Sequence, residues 1–230
     1  MKDLEKDALQ ILKLIQERGY DAYLVGGYPR DKYLGRDTND IDICTNMPNE
    51  YLEELFHVTK TEFLSSVIEF HNHTFEITRF RKDSNYEHHR FPKTVAYVSH
   101  LRDDLKRRDF IMNTLCIDAD GNYVDMLGAK EDLDHKIIRA VGNPFEKLEE
   151  DALRILRAIR FACQLNFKIE KTLEEAILKN KHLVFVLSYR RIEQELTKIE
   201  ESENHSYGYQ LLNQYGIMEI IQEKRKKHIQ

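Results

Sequence analysis

The chain has 230 residues, of which 41% are hydrophobic and 33% charged, so we expect a folded globular protein rather than a disordered one. No apolar run reaches the roughly 18 residues that a membrane span needs, and the charged N-terminus is unlike a signal peptide, so a cytoplasmic protein without a membrane partner is expected. The net charge of −5 excludes a general positive field, so a nucleic-acid partner would need local basic patches.

The beginning of the chain predicts helices and strands in alternation. Apolar residues at helical spacing predict an amphipathic helix over 3–18, with Gly19 at its C-terminal cap. We expect a strand at 22–25, a short helix at 30–34 and a second strand at 38–44. This order is typical of a small mixed α/β unit.

The pattern continues with a helix at 50–56 and two strands, one around 62–64 and one at 74–80, in which Phe, Ile, Val and Thr predominate. The segment 82–94 is rich in charged residues and contains Pro92, so it predicts a mobile loop.

Turn chemistry predicts a hairpin over 115–126, where Asp-Gly and Gly-Asn stand between two short apolar runs, and a last strand follows at 137–141. From Phe145 onward the pattern is helical. One apolar stripe runs continuously through Leu148, Ala152, Ile155, Ile159 and Ala162. The chain therefore divides near residue 140 into a mixed α/β front and an all-helical back.

The three cysteines, Cys44, Cys116 and Cys163, are odd in number and widely spaced. This spacing argues against a disulfide framework and against a zinc cluster. We expect all three to be buried small hydrophobic side chains.

Paired carboxylates are the first candidate site. Asp40 and Asp42 alternate with Ile41 and Ile43, so on a strand both carboxylates would share one face while the isoleucines enter the core. Like charges held so close repel, and such a pair is usually kept where a divalent cation neutralises it. Alternation in the strand at 74–80 would add Glu76 to the same side. On spacing alone, an exposed acidic face without function is an equal alternative.

A Gly26-Gly27 turn followed by Arg30 lies just upstream of these carboxylates. Its backbone N–H groups and guanidinium suit a triphosphate. Nucleotidyl transfer needs two cations held by carboxylates, one to lower the pKa of the attacking hydroxyl and one to steady the leaving pyrophosphate. Carboxylates suit Mg²⁺, a hard ion that prefers oxygen, so the segment 23–45 indicates nucleotide chemistry.

A second candidate site lies in the helical part. Asp151, Arg154, Arg157 and Arg160 wind around the surface that the apolar stripe leaves, and would face outward or into a cleft. A solvated face paired with neighbouring acids is the simpler interpretation of the spacing. The choice of Arg at all three basic positions favours contact with phosphate or a base edge.

Four motifs occur in order between residues 20 and 200. They are Leu24-Val25-Gly26-Gly27 with Arg30-Asp31, Leu34-Gly35 and Asp40-Ile41-Asp42-Ile43; Arg107-Arg108-Asp109-Phe110 with Asn113; Glu150-Asp151-x-x-Arg154-x-x-Arg157-Ala158-x-Arg160-Phe161; and Arg191-Ile192-x-x-Glu195-Leu196. Together they resemble the motifs of class II tRNA nucleotidyltransferases, the bacterial-type CCA-adding enzymes and their poly(A) polymerase relatives.

The resemblance implies an α+β fold in three parts. A nucleotidyltransferase-like catalytic head with a small mixed β-sheet would occupy residues 1–140, a helical nucleotide-selecting neck 141–200, and the truncated start of a helical body 201–230. Family members usually continue into body and tail domains that grip tRNA. Whether this sequence is naturally minimal, truncated or one part of a two-chain activity, its grip on tRNA is expected to be weaker or supplied elsewhere.

The same resemblance assigns roles to residues. Asp40 and Asp42 would bind Mg²⁺ and be catalytic, with Glu76 as a third acid. The nucleotide-binding residues would be Gly26, Gly27, Arg30, Arg108, Asp109, Asn113, Asp151, Arg154, Arg157 and Arg160. Gly27 and Arg30 would hold the triphosphate. Asp151 and Arg154 would present Watson–Crick-like edges to C or A, while Arg157 and Arg160 support the phosphates or the template.

The implied activity is the addition of CMP and AMP from CTP and ATP to the 3′ end of tRNA, without a nucleic-acid template. An A-adding enzyme or a poly(A) polymerase shares every motif and stays open. A non-catalytic RNA- or nucleotide-binding module also stays open, although a silenced site has no reason to keep paired carboxylates. The segment 86–92 resembles the flexible loop of members that add the final A, which favours CCA or A addition over CC addition. The sequence does not predict the oligomeric state.

Overall fold

The computed structural model describes residues 2–62 and 64–229. By their internal contacts the described residues form two compact units. The first comprises the chain up to Lys82 together with 95–133, and the second comprises 83–94 together with 134 onward. The boundaries that we expect at residues 140 and 200 stay predictions.

The first unit alternates helices with strands, and the elements are labelled here in chain order. They are α1 (Lys2–Glu17), β1 (Ala22–Val25), α2 (Gly27–Tyr33), β2 (Asp42–Thr45), α3 (Asn49–Leu55), β3 (His57–Glu62), β4 (Ser65–Phe70), β5 (His73–Arg79), β6 (Arg81–Glu87), β7 (Phe91–Tyr97), α4 (Leu101–Lys106), a 3₁₀ turn (Ile111–Thr114), β8 (Cys116–Ile117), β9 (Tyr123–Val124) and α5 (Ala129–Asp134). The outer part of the β6–β7 hairpin belongs to the second unit.

Seven strands form one sheet in the order β3-β4-β5-β2-β1-β8-β9. The central β2 and β5 run parallel, while every other pairing in this sheet for which a register is defined is antiparallel. The predicted mixed sheet is therefore confirmed. The parallel register places Asp42 directly opposite Glu76, and β1 places Val25 opposite Asp42 on the other side.

The two faces of the sheet have different cores. Leu24, Ile43 and Ile77 pack with the apolar stripe of α1 on one face. Because side chains alternate along a strand, Cys44 and Asp42 belong to the opposite face, where Cys44 and Cys116 pack in the core cluster that includes Leu101 and Leu105 of α4. The sheet thus has one mainly apolar face and one that combines core with carboxylates.

Two predictions for the first unit need correction. The strand expected at 38–44 begins only at Asp42, so Asp40 precedes the ladder. The prediction of a loop at 82–94 is wrong, because these residues belong to the β6–β7 hairpin. This hairpin is held by its backbone and by polar pairs such as Lys93 with Glu87 at 2.8 Å. The strand expected around 62–64 includes residue 63, which lies outside the described residues.

The second unit is mainly helical, which confirms the predicted helical C-terminal part. Its elements are β10 (Ile137–Ile138), α6 (Pro144–Glu150), α7 (Leu153–Leu165), β11 (Lys168–Ile169), α8 (Lys171–Asn180), a 3₁₀ helix (Lys181–Val186), α9 (Tyr189–Glu200), α10 (His205–Gln214) and α11 (Ile217–Ile229). The short parallel pair β10–β11 includes one strand that the sequence does not predict. None of the described helices has the length and apolar character that would let it cross a membrane.

Candidate active site

The carboxylate cluster lies where β2 and β5 run side by side. Asp42 is partly buried, while Asp40 and Glu76 are exposed. Burial and, to a smaller extent, the charges of Asp40 and Glu76 raise the pKa of Asp42 to about 6, with Arg108 acting in the opposite direction. The structure therefore brings together the three acids that the sequence singles out. Their ionised forms disfavour one another, which is an electrostatic condition that a cation would relieve.

These carboxylates fit Mg²⁺ by the chemistry of their donors, since hard divalent cations prefer oxygen ligands. Among the described residues, no three His, Cys, Asp or Glu side chains are arranged to hold a metal by themselves. A magnesium ion here would therefore complete its coordination with water and substrate phosphates, as this ion usually does.

Gly26 makes room for the central carboxylate. Its φ of 77° and ψ of −132° belong to a region that side chains avoid. A Cβ at this position would lie 2.9 Å from Asp42 Oδ2. A Cβ on Gly27 would meet only ordinary contacts, of which the nearest is 3.5 Å from Arg30 Nη2. Gly26 is thus required by its backbone conformation and lies close to Asp42, whereas a triphosphate contact by either glycine stays a prediction.

Arg30 is part of a polar network within the first unit. Its Nε and Nη2 donate to both carboxylate oxygens of Asp31 at 2.9 and 2.8 Å, and its Nη1 donates to Asn113 Oδ1 at 2.7 Å. Asn113 Nδ2 in turn donates to Asp109 Oδ1 at 3.1 Å. The structure therefore joins three predicted nucleotide-binding residues directly, and it adds Asp31, to which the sequence assigns no role, as a further partner of Arg30. This network orients Arg30, which is 7% exposed.

Arg108 is held by a buried acid. Asp104 has no exposed surface, and its Oδ2 accepts from Arg108 Nη2 at 3.0 Å while its Oδ1 accepts from Arg107 Nε at 2.8 Å. Burial opposes the charged form of Arg108, but Asp104 together with Cys44 and Cys116 outweighs burial and raises the pKa of the guanidinium. Sequence reasoning misses Asp104, although its spacing of three and four residues from the two arginines that follow α4 is a usable signal.

In the second unit, the predicted continuous helix is interrupted at Asp151. This residue has extended backbone, with φ −141° and ψ 101°, between α6 and α7. Its Oδ1 accepts from the backbone N–H of Leu153 at 3.0 Å, and its Oδ2 accepts from Arg90 Nη1. Asp151 therefore caps the start of α7 instead of lying on a helix surface.

The arginines of α7 differ in exposure. Arg154 is 6% exposed, and its Nη1 donates to the Lys147 carbonyl at 2.8 Å and to Glu150 Oε2 at 3.0 Å. Arg160 is 8% exposed and forms an ion pair with Glu195 Oε2 at 2.7 Å. The sequence allows these arginines to face either outward or into a cleft. The outward orientation is wrong for Arg154 and for Arg160. The apolar surroundings of α7 cover almost the whole helix, and periodicity alone does not show this.

Arg157 is the partly exposed member of the series, with its guanidinium 5.4 Å from the Phe161 ring centre. The Arg160 guanidinium lies 4.1 Å from the same ring.

The three cysteines are free and buried, as expected.

Comparison with known proteins identifies two family models. The model described as the poly A polymerase head domain matches residues 22–139, just over half of the chain. The model described as a probable RNA and SrmB-binding site of polymerase A matches residues 166–227.

The relatives carry consistent names. A CCA-adding enzyme of Bacillus subtilis (strain 168) is 39% identical over 217 residues, which are 93% of this chain and 55% of that protein. The crystal structure of the Bacillus stearothermophilus CCA-adding enzyme in complex with CTP matches with a TM-score of 0.86 and 34% identity, over 94% of this chain and 53% of that one.

A structure of tRNA nucleotidyltransferase with a primer tRNA and an incoming ATP analog matches with a TM-score of 0.76 and 28% identity, over 91% of this chain and 61% of that one. The chain thus spans about half the length of the curated relatives that it matches.

Proposed function

Since the chain belongs to the family that carries the poly A polymerase head domain, we propose that it supports transfer of CMP and AMP from CTP and ATP to the 3′ end of tRNA. The observation that carries the proposal is Asp42, a carboxylate whose pKa is raised to about 6 between two further acids and against a glycine that leaves no room for a side chain. Carboxylates held under mutual repulsion are typical of sites that bind cations for phosphoryl chemistry.

The substrates that we propose are those that the names of the relatives and of their structures mention. One is named a CCA-adding enzyme, one was solved with CTP, and one with a primer tRNA and an ATP analog. Each shares at least 28% identity over nine-tenths of this chain. These likenesses support CTP, ATP and the tRNA 3′ end as ligands, and favour CCA addition over the A-adding alternative.

Asp40 and Asp42 would hold Mg²⁺, which when bound lowers the pKa of the attacking 3′ hydroxyl and steadies the departing pyrophosphate. The residues of the chain have complementary tasks. Asp42 must be ionised, and Gly26 lets its carboxylate approach the backbone. Arg108 offers a positive charge on the same side, and the Arg30–Asn113 bond ties α2 to the 3₁₀ turn so that the site is held in place.

Base selection would fall to Asp151 and Arg154 in the second unit. Asp151 is fixed by Arg90 and by the Leu153 N–H, and Arg154 by Glu150 and the Lys147 carbonyl. Groups held in this way lose little freedom when a base edge binds to them, so they discriminate more sharply than mobile side chains.

The test of the proposed function is incorporation. The chain is incubated with Mg²⁺ and a tRNA that ends before CCA, with CTP alone, with ATP alone and with both. We expect C to be added from CTP alone and A only once both are present. Long A tails would favour a poly(A) polymerase, and binding of nucleotide without incorporation would favour a non-catalytic module.

Arg154→Ala should blur the choice among nucleotides more than it weakens binding of the triphosphate. Loss of a preformed hydrogen-bonding group should reduce discrimination against GTP and UTP by about tenfold or more, because a good bidentate contact contributes about 1–3 kcal/mol of selectivity. The measurement is competition between the four nucleotides at the tRNA end. Arg190→Ala is the matched control, since it removes an exposed arginine of the second unit to which no role is assigned. Equal selectivity in wild type and Arg154→Ala would remove Arg154 from this role.

A further inference from the structure

Helix α2 joins the glycines of the candidate active site to the polar network of Arg30. It begins at Gly27, directly after Gly26, which lies close to the Asp42 carboxylate. The helix has only seven residues, and its N-cap residue is a glycine, which has no side chain to bond the first turn. Because so short a helix is marginal by itself, its position depends on contacts with the rest of the unit.

Two opposite sides of α2 take part in such contacts. Tyr28 and Lys32 are four residues apart, so they share one side of the helix. Arg30 is two residues from each of them, which is a turn of about 200°, so it lies on the other side. There its Nη1 donates to Asn113 Oδ1 at 2.7 Å. A rotation of α2 about its own axis would break this bond unless the side that carries Tyr28 and Lys32 is also held.

Glu5 of α1 holds that side. Its Oε1 forms an ion pair with Lys32 Nζ, and its carboxylate also accepts from the Tyr28 hydroxyl. Tyr28 is buried, and burial together with Glu5 raises the pKa of its phenol, so the hydroxyl keeps its proton and remains the donor. One carboxylate thus fixes α2 at two points that lie one helical turn apart.

Helix α1 gives Glu5 a firm support. The helix has 16 residues, and its apolar stripe, which includes Ala8 and Ile11, lies in the core beneath the sheet. The Glu5 side chain is only 25% exposed, so solvent competes little for its bonds. Groups on a well-packed helix place their partners more precisely than groups on a loop. Glu5 therefore ties the position of α2 to the core of the first unit.

We propose that Glu5 is a positioning residue for the incoming nucleotide: through Tyr28 and Lys32 it holds α2, and with it the predicted triphosphate-binding residues, in place beside Asp42. The inference rests on the proposed function, because it takes the ligand to be a nucleoside triphosphate. Glu5 acts through α2 and does not itself contact the ligand. It stands outside the four motifs, the first of which begins at Leu24.

The test compares the affinities of the chain for CTP and CMP by titration calorimetry, with Mg²⁺ and without tRNA, so that no incorporation occurs. Glu5→Ala removes both bonds to α2 and should reduce the preference for CTP over CMP by about fivefold or more, because charge-assisted hydrogen bonds to the phosphates lose their alignment. Asp3→Ala is the matched control, since Asp3 is an exposed acid in the same first turn of α1, and it should keep the preference. A purely structural role of Glu5 would weaken both nucleotides equally, and this outcome overturns the inference.

Two milder variants keep the test valid where Glu5→Ala folds poorly. Glu5→Gln retains an oxygen that can accept from the Tyr28 hydroxyl, so its preference for CTP should stay within about twofold of wild type. Tyr28→Phe keeps the buried ring but removes the donor, and it should lower the preference by about threefold. A loss in Glu5→Gln as large as in Glu5→Ala, or an unchanged preference in Tyr28→Phe, overturns the inference.

If wild type itself shows no preference for CTP over CMP, the proposed function fails, and the hold of Glu5 on α2 is judged separately. Hydrogen exchange of the α2 amides, measured by NMR, reports how firmly this helix is held. Faster exchange in Glu5→Ala than in Asp3→Ala supports the hold on α2, and equal exchange in the two variants overturns it.

Discussion

Asp42→Asn should abolish nucleotide incorporation while it stabilises the magnesium-free chain. Incorporation should fall by at least about 10³-fold, because metal-held charge stabilisation contributes several kcal/mol to the transition state. Stability should rise because the ionised Asp42 lies partly buried between Asp40 and Glu76, and the neutral amide removes this repulsion. The pKa of the Asp42 carboxyl rises from 3.8 to about 6 on folding. Once partial exposure is considered, this rise corresponds to a gain in the free energy of unfolding of Asp42→Asn of about 1–2 kcal/mol at neutral pH.

The pH dependence has a defined sign. A raised pKa means that the folded chain holds this proton more tightly than the unfolded chain, so the folded state loses stability as pH rises from about 4 to about 6. Above this pH range, ionisation of Asp42 causes no further loss of folded-state stability. The difference in free energy of unfolding between Asp42→Asn and wild type should therefore grow across the window and then level off, as measured by urea denaturation in a chelating buffer.

Asp37→Asn is the control, since Asp37 is an exposed acid of the same segment. It should leave both activity and stability unchanged. Addition of Mg²⁺ should narrow the stability difference between wild type and Asp42→Asn, because only wild type keeps the full carboxylate set. Retained incorporation in Asp42→Asn would end the assignment of Asp42 to the metal, and a loss of stability at neutral pH would show that the carboxylate is not under repulsion.

The sequence predicts best those elements that bury one face. The strands at 22–25 and 74–80 and the helix at 3–18 are confirmed because their apolar residues repeat at the period of their own secondary structure. The hairpin formed by β6 and β7 is missed for the opposite reason. Several of its side chains are exposed and charged, and backbone pairing leaves no mark in such a sequence.

The interruption at Asp151 shows a different limit. Leu148 and Ala152 are both buried, so the apolar stripe continues across a break in the backbone. Helical periodicity reports which side chains enter a core, not whether the helix between them is continuous. Asp151 ahead of an apolar run is itself a capping signal, and this local rule, rather than periodicity, locates the break.

The residues of the candidate site also differ in whether the sequence predicts their placement. Alternation is enough to bring Asp42 and Glu76 to one side, because both belong to strands with a buried opposite face. No local rule pairs Arg30 with Asn113, which lies 83 residues further along the chain. Only the folded chain shows that Arg30 is already bound to Asp31 and Asn113, and what it offers a triphosphate is set by these bonds.

Glu195→Leu should destabilise the second unit by about 3–5 kcal/mol, because it leaves the Arg160 guanidinium buried without its carboxylate. Arg160→Leu combined with Glu195→Leu should recover most of that loss, since apolar side chains of similar size often replace a buried ion pair without penalty. The chain has no tryptophan, so hydrogen exchange of the α7 and α9 amides is the suitable measurement. Glu193→Leu, at an exposed position of α9, should leave exchange unchanged.

The double variant also separates two roles of Arg160. The ion pair with Glu195 explains its burial without any ligand, whereas the family resemblance implies support of phosphates or of the template. If the double variant folds and binds CTP as wild type does, Arg160 acts through the packing of α7 on α9 and does not contact the nucleotide. If stability returns but CTP binding stays lost, the guanidinium itself is required, and Arg160 belongs with Arg154 in the nucleotide-binding set.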